Sequence, residues 1–261
     1  MVELSAIYVL WLRELKKLLR APERIIGSVA MPIMFLMFLG FGFQGASLPG
    51  LGNGLSYINF LVPGMIGMNM LFSSMFSGIS VLWDKEFGFL KEIMVAPVSR
   101  VSIALGRIAG GSFTGLLQGL VFFLVSFLLG FAFPGAFALW RIMAGLLMMF
   151  VFMGLIALTF NALGLSFAAN MRDAQGFELI INFVMFPLFF LSGAVAPIGN
   201  LPAWLQVLAF ANPLTYSVDG LRAALIGNSI FPLTFDLLVS SVFAIALLAI
   251  ASFFFERSDG V

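Results

Sequence analysis

Long apolar runs separated by short polar segments dominate the pattern of this sequence. Six of these runs come close to or exceed the ~20 mostly apolar residues that a helix needs to cross a bilayer core. Because lipid offers no partner for free backbone groups, each run is predicted to be an α-helix. The predicted spans are 25–43, 57–82, 103–131, 141–169, 177–196 and 233–255. The pattern therefore predicts an all-α integral membrane protein, with residues 25–261 forming one six-span domain.

The composition agrees with a membrane protein and excludes several kinds of chemistry. Hydrophobic residues make up 62% of the 261 residues and charged residues 10%, whereas soluble domains average about 45–50% and about 25%. The chain has no cysteine and no histidine, which excludes thiolate or histidine nucleophiles, disulfides and Cys/His zinc sites. No catalytic, metal or cofactor site is expected. A net charge of +1 argues against nucleic-acid binding, which needs a basic patch.

The basic residues predict the orientation of the spans. Eleven of the thirteen lie in residues 1–24, in the segment 84–107 around the inner end of span 3, between spans 4 and 5, or after span 6. Only Arg141 and Arg222 fall on the opposite side. By the positive-inside rule both termini are predicted to be cytoplasmic, in the cell membrane. The tryptophans and tyrosines fall at or outside the predicted span ends, as is typical of the headgroup region.

Residues 1–24 predict an amphipathic helix lying in the cytoplasmic interface. Four basic residues share one face of the helical wheel, and four apolar residues lie opposite. The basic face consists of Arg13, Lys16, Lys17 and Arg20, and the apolar face of Ile7, Trp11, Leu15 and Leu18. Basic side chains on such a helix would reach for lipid phosphates. The alternative interpretation is a charged flank that only orients span 1.

The outer connection before span 6, residues 197–232, is too apolar for a solvated loop. Prolines at 197, 202 and 213 break it too often for a seventh span. It is therefore predicted to form short helices that dip back into the outer leaflet. Asp219 and Arg222 stand three residues apart and could pair on a helix. Such a pair would either stabilise the outer cap or take part in gating.

The inner connection after span 2 reads DKEFGFLKEIMVAPVSR, residues 84–100. Its charged residues interleave with Phe87, Leu90 and Met94, which recur at helical steps of three and four. This predicts a short amphipathic helix that ends at Ala96, before Pro97. It would either dock into a groove on a soluble partner or form an ordinary solvated loop.

This inner segment closely resembles the coupling loop of ABC type-2 export permeases, of the daunorubicin-resistance-like and nodulation-export-like group. Members often have arginine where this chain has Lys85. The segment 211–227, ANPLTYSVDGLRAALIG, is similar to the second motif of that family. The resemblance implies that residues of the inner segment contact an ATP-hydrolysing subunit, namely Asp84, Lys85, Glu86, Phe87, Gly88, Phe89, Leu90, Lys91, Glu92 and Pro97. It implies that the outer re-entrant motif is formed by Asn212, Pro213, Tyr216, Asp219, Gly220 and Arg222.

The chain supplies no energy source of its own that could drive transport. It lacks a G-x-x-x-x-G-K-[ST] phosphate loop, so ATP and magnesium are expected on a separate ATPase subunit, in two copies. The best intramembrane acids, Glu178 and Asp236, are expected at interfaces rather than in a proton relay. The resemblance implies a homodimer that uses mainly the first and fifth spans. Gly111, Gly115 and Gly119 predict close helix packing, within the chain or across that dimer.

The function predicted from these features is the membrane subunit of an ATP-driven exporter. The spans hold many phenylalanines and few polar groups, which favours an amphipathic or lipid-linked cargo such as a drug, a lipid or a glycolipid. The chain itself is not expected to be an enzyme. The alternatives are a stand-alone secondary transporter or channel, and a membrane scaffold without transport activity.

Overall fold

The computed structural model describes residues 3–43, 56–89, 93, 98–133, 138–171 and 173–257. This part of the chain contains α-helices, one short 3₁₀ helix and no strand, which confirms the prediction of an all-α fold. The α-helices, in chain order, are α1 Leu4–Arg20, α2 Glu23–Gly42, α3 Tyr57–Phe76, α4 Ile79–Glu86, α5 Arg100–Leu128, α6 Leu139–Asn170, α7 Ala174–Leu191, α8 Ala203–Ala211, α9 Pro213–Ile226 and α10 Leu233–Arg257.

Six stretches of this structure are long and apolar enough to cross a membrane, as the hydropathy pattern predicts. They are Ile25–Gly42, Tyr57–Glu86, Arg100–Leu128, Leu139–Asn170, Ala174–Leu191 and Leu233–Arg257. The fifth ends five residues before the predicted boundary, because the backbone turns at Ser192 and Gly193, where Gly193 adopts a φ of 76°.

The second span differs from its prediction in two ways. It consists of α3 and α4, with an interruption at Ser77 and Gly78. A Cβ atom at Gly78 would lie 2.7 Å from the backbone oxygen of Gly164 on α6, so the interruption lets two helix backbones approach closely. The span also extends to Glu86. Residues 84–86 therefore belong to the end of a helix and not to a separate loop.

Helix α3 lies at the centre of the bundle. Its residues from Leu61 to Leu71 are buried, and it packs against α2, α5, α6, α7 and α9. Helices α2, α7 and α10 are the least buried spans. This arrangement makes α3 and its continuation α4 the elements through which a displacement at one end would reach most of the bundle.

Glycines on α5 allow two separate close contacts. Gly106 and Gly110 face α1, where a Cβ atom would meet Leu10 and Glu14 at 3.0 Å and 2.8 Å. Within the same chain, Gly111 faces α6 and the turn before α4, and Gly119 faces α3 and α6. The predicted glycine face therefore packs inside the protomer, and α1 lies against the bundle.

The connection before the last span forms short helices, with a 3₁₀ turn at Ile198–Asn200 followed by α8 and α9. Asn212 begins α9: its side-chain oxygen accepts a hydrogen bond from the Leu214 amide at 3.0 Å, and Pro213 occupies the first turn. Gly227 ends α9 with a φ of 70°. Both ends carry residues favoured at these positions.

Candidate functional site

A charged cluster joins α1, α4 and α5 at the end of the bundle where α1 lies. The guanidinium of Arg13 donates two hydrogen bonds to the carboxylate of Asp84, at 2.9 Å and 3.1 Å. Arg107 donates to the same carboxylate from the other side. Asp84 and Arg107 are 8% and 5% exposed, so this is a largely desolvated ion pair with a bidentate partner.

Glu14 extends this cluster along α1. Its carboxylate accepts hydrogen bonds from Arg107 at 3.3 Å and from Lys17 at 2.9 Å. The cluster therefore contains three cations and two carboxylates, and each carboxylate contacts two cations. Burial of charge is tolerated only where such compensation exists.

Lys85 and Glu86, the next two residues of α4, bind the ends of two further helices. The Lys85 ammonium donates to the carbonyl oxygens of Ala168 and Ala169, both at 2.9 Å, at the carboxyl end of α6. The Glu86 carboxylate accepts from the Ala174 amide at 3.2 Å, at the amino end of α7. A cation at a helix carboxyl end and an anion at an amino end both match the helix dipole.

Three consecutive residues thus attach α4 to four other helices. Asp84 holds α1 and α5, Lys85 holds α6 and Glu86 holds α7. The sequence-based interpretation placed all three at an interface with a partner protein. In the structure their charged groups make contacts inside the protomer.

The residues after α4 turn outward. The Phe87 side chain is 83% exposed. Gly88 has a φ of 74°, and a Cβ atom there would meet nothing within 4 Å, so its dihedral angle and not close packing requires glycine. Phe89 lies beneath Arg13, with the guanidinium carbon 4.4 Å from the ring centroid. The predicted contact residues Leu90, Lys91, Glu92 and Pro97 lie outside the described residues.

The basic face predicted for α1 is divided between two roles. Arg13 and Lys17 belong to the charged cluster, so the expectation that they reach for lipid phosphates is wrong in this structure. Lys16 and Arg20 are exposed. On the other face Trp11 packs edge-on against Phe113 of α5, with ring centroids 5.3 Å apart.

At the opposite end of the bundle, Asp219 and Arg222 do not form the hypothesised ion pair. Asp219 accepts hydrogen bonds from the amides of Ile230 and Phe231, at 2.8 Å and 2.9 Å, and so fixes the turn before α10. Arg222 donates to the Gly193 carbonyl at 2.9 Å and lies over the Phe60 ring. Each charged group therefore has its own partners.

The other residues of the outer motif have packing roles. The Tyr216 hydroxyl donates to the Phe210 carbonyl at 2.7 Å. A Cβ atom at Gly220 would overlap the Phe152 ring. Asp236, in the first turn of α10, is buried beside Asp219, whereas Glu178 is exposed.

Comparison with known proteins identifies the family. Residues 5–226 match the ABC-2 type transporter family. The chain belongs to that family. It is 29% identical over 261 residues to the inner membrane transport permease YadH of Escherichia coli strain K12, covering 98% of this chain and 96% of YadH. It is 29% identical over 243 residues to the transport permease ycf38 of Cyanophora paradoxa, with 89% and 80% covered. Nodulation protein J of Rhizobium leguminosarum bv. viciae is 27% identical over 208 residues, with 79% and 76% covered.

Membership of the family confirms several of the predictions made from the sequence. The chain is an ABC-2 permease, a multi-pass membrane subunit of a transporter and not an enzyme. Permeases of this family work with a separate ATPase subunit.

Two important residues of the permease were missed by sequence reasoning. Arg107 was assigned only to the positive side of the membrane, and Glu14 was not singled out. Glu14 stands among basic residues of α1, so its neighbours in the sequence do not indicate a contact with α5. Arg107 is a charge flanked by apolar residues of a helix, and an isolated charge in that setting is a signal that a partner must exist. Which partner it has depends on tertiary packing.

Proposed function

We propose that this permease is the membrane subunit of an ATP-driven exporter that moves an amphipathic or lipid-linked molecule out of the cytoplasm. It acts as a homodimer in the cell membrane, with both termini in the cytoplasm. Two copies of a separate ATPase subunit bind the segment that follows α4 and supply the energy. The relationship to YadH, an inner membrane transport permease, supports the membrane assignment.

The observation that carries this proposal is the set of contacts made by Asp84, Lys85 and Glu86. A force applied at Phe87, directly after α4, would reach four helices through these side chains. It also reaches the centre of the bundle, because α4 and α3 belong to one span. A segment attached in this way can transmit a displacement, whereas a free solvated loop would absorb it.

Phe87 is the described residue best placed to anchor the ATPase. Large apolar side chains at the centre of an interface carry much of the binding energy, and this side chain is 83% exposed in the protomer. Phe89 has a different position, since it lies beneath Arg13. A partner that displaces Phe89 would therefore also act on the charged cluster.

The test is Phe87→Ala in the full chain, expressed together with the ATPase subunit. Truncating an aromatic anchor costs about 2 kcal/mol or more, so ATPase affinity should fall at least about thirtyfold. Bound ATPase is measured by co-purification, and ATP hydrolysis and export are measured in reconstituted vesicles. All three should decrease while expression and thermal stability stay unchanged.

The matched control is Leu128→Ala. Leu128 is 86% exposed and ends α5 at the opposite side of the bundle, so its truncation should not change ATPase binding. Normal export and ATPase retention by Phe87→Ala would reject this coupling role. Export that continues after ATPase binding is lost would instead favour the stand-alone transporter.

A further inference from the structure

A cleft of about 380 Å³ opens where α1 turns into α2. Helices α3, α4 and α5 form its other walls, so residues of five helices line it. Binding sites for small molecules have volumes of about 300–1,000 Å³. From Ser73 to Ser80 the cleft follows the second span for about 10 Å, at a rise of about 1.5 Å per residue. It therefore runs from within the membrane toward the side on which α1 lies.

Apolar side chains form much of the cleft surface. Phe72 and Phe76 line it from α3, and Met31 from α2. These side chains would suit an acyl chain. The remaining surface is polar, with hydroxyl groups contributed by four helices and by the turn at Ser77, and an amide contributed by α5.

The hydroxyl groups are arranged to accept hydrogen bonds from a ligand. Ser28 and Thr114 donate their protons to backbone carbonyls of their own helices, at 2.9 Å and 3.1 Å. Ser80 donates to the Ser77 carbonyl at 2.9 Å. Each oxygen keeps its acceptor capacity, because its proton is already used. A ligand with several hydroxyl donors would match these oxygens.

Gln118 supplies a donor at the deeper end. It is 5% exposed, and its side-chain oxygen accepts from Ser73. Within the described parts of the chain, its amide nitrogen has no hydrogen-bond partner. Because Gln118 lines the cleft, a ligand oxygen there would accept a hydrogen bond from this amide.

The cleft has little net charge with which to select an ion. Glu14 is the charged residue among the described lining residues, and Arg107 and Lys17 already compensate it. An anionic head group would meet the Glu14 carboxylate without a free cation beside it. A metal ion would displace two existing salt bridges.

We propose that this cleft binds a neutral lipid whose head group carries several hydroxyl groups. The head group lies among Ser28, Ser80 and Thr114, and an acyl chain lies along Phe72 and Phe76. This proposal deepens the proposed function. It rests on that function for one point, namely that the cleft is an entry point for cargo. Binding itself requires neither the ATPase nor ATP.

Gly27 offers a way to block the cleft without disturbing the bundle. It lines the cleft, and a Cβ atom there would meet nothing within 4 Å. Gly27→Phe places a ring in the opening. Gly42→Phe is the matched control, since Gly42 lies on the same helix, does not line this cleft and also has open space around its Cβ position. Thr114→Val is a second variant, which removes one acceptor at nearly constant volume.

The experiment uses the purified full chain in phosphatidylcholine vesicles without the ATPase. A photoactivatable glucosyl diacylglycerol is the probe, and a photoactivatable phosphatidic acid with the same acyl chains is the comparison. After illumination, mass spectrometry quantifies probe attached to peptides of α3 and α5 in the cleft and to peptides of α10, which represent bulk lipid contact.

The glucosyl probe should label the cleft peptides at least about fivefold more than phosphatidic acid does, which corresponds to about 1 kcal/mol. Gly27→Phe and Thr114→Val should each reduce this labelling at least about threefold, and Gly42→Phe should leave it unchanged. Equal labelling of cleft and α10 peptides, a preference for phosphatidic acid, or full labelling in both cleft variants would overturn the proposal. A negative Phe87→Ala experiment would leave these results unchanged, so the two proposals fail separately.

Discussion

At the residue scale, the sequence Asp84-Lys85-Glu86 shows how helix geometry distributes three adjacent charges. Successive residues of an α-helix point about 100° apart, since a turn contains 3.6 residues. Asp84 therefore meets α1 and α5, while Lys85 and Glu86 meet α6 and α7. In an extended loop the same charges would be solvated. The partners are fixed by where the other helices lie and where α6 and α7 end and begin, which local sequence does not encode.

The charged cluster leads to a prediction about stability. Asp84→Ala would leave the buried Arg107 with only its longer contact to Glu14, at 3.3 Å, and breaking a buried pair costs about 3–5 kcal/mol. Arg13→Ala should cost only about 1 kcal/mol, because the Arg13 side chain is 27% exposed and Asp84 keeps Arg107. Thermal unfolding in detergent measures both. Lys16→Ala, on the exposed side of α1, is the control and should change nothing. Equal costs for Asp84→Ala and Arg13→Ala would contradict this account of the cluster.

At the element scale, the sequence predicts the spans well because hydropathy is a local property. The positions of α2, α5, α6 and α10 follow from apolar length alone. The interruption between α3 and α4 could not be predicted in this way, since it depends on the backbone of Gly164 approaching Gly78. The hypothesised pair of Asp219 and Arg222 failed for a similar reason, because amides of the turn before α10 and the Gly193 carbonyl are nearer partners.

The contact between α1 and α5 gives a prediction for a whole element. A Cβ atom at Gly106 would lie 3.1 Å from the backbone of Ile7, so Gly106→Leu should displace α1. Overpacking of this kind costs about 1–3 kcal/mol, and trypsin cleavage after Lys16 or Arg20 should become faster by a factor between about 5 and about 160. Gly154→Leu, where a Cβ atom meets nothing within 4 Å, is the matched control. Unchanged cleavage in a correctly folded Gly106→Leu protein would show that α1 does not depend on this contact.

At the scale of the whole molecule, burial separates a central helix from peripheral ones. Helix α3 is enclosed, whereas α2, α7 and α10 present apolar side chains outward. Phe35 of α2 and the buried Phe189 of α7 are in contact, with ring centroids 6.2 Å apart, so side chains of α2 and α7 meet. Helix α10 packs against α5, α6 and α9 instead. The chain therefore has two kinds of outward surface, one shared by two helices and one formed by α10.

The proposed homodimer uses the surface shared by α2 and α7, and cysteine cross-linking can test this because the natural chain contains no cysteine. Phe183 of α7 is 82% exposed and Ile245 of α10 is 68% exposed. If α7 lies at the interface, Phe183→Cys should form a disulfide-linked dimer in oxidised membranes, since a disulfide requires Cα atoms within about 7 Å. Ile245→Cys should remain monomeric if α10 faces lipid. The two copies of position 183 need not lie close enough to each other in the dimer. A chain with Phe183→Cys is therefore also co-expressed with a chain that carries Phe38→Cys on α2. Dimers from Ile245→Cys, with none from any α2 or α7 combination, would place the interface on α10 and reject the proposed arrangement.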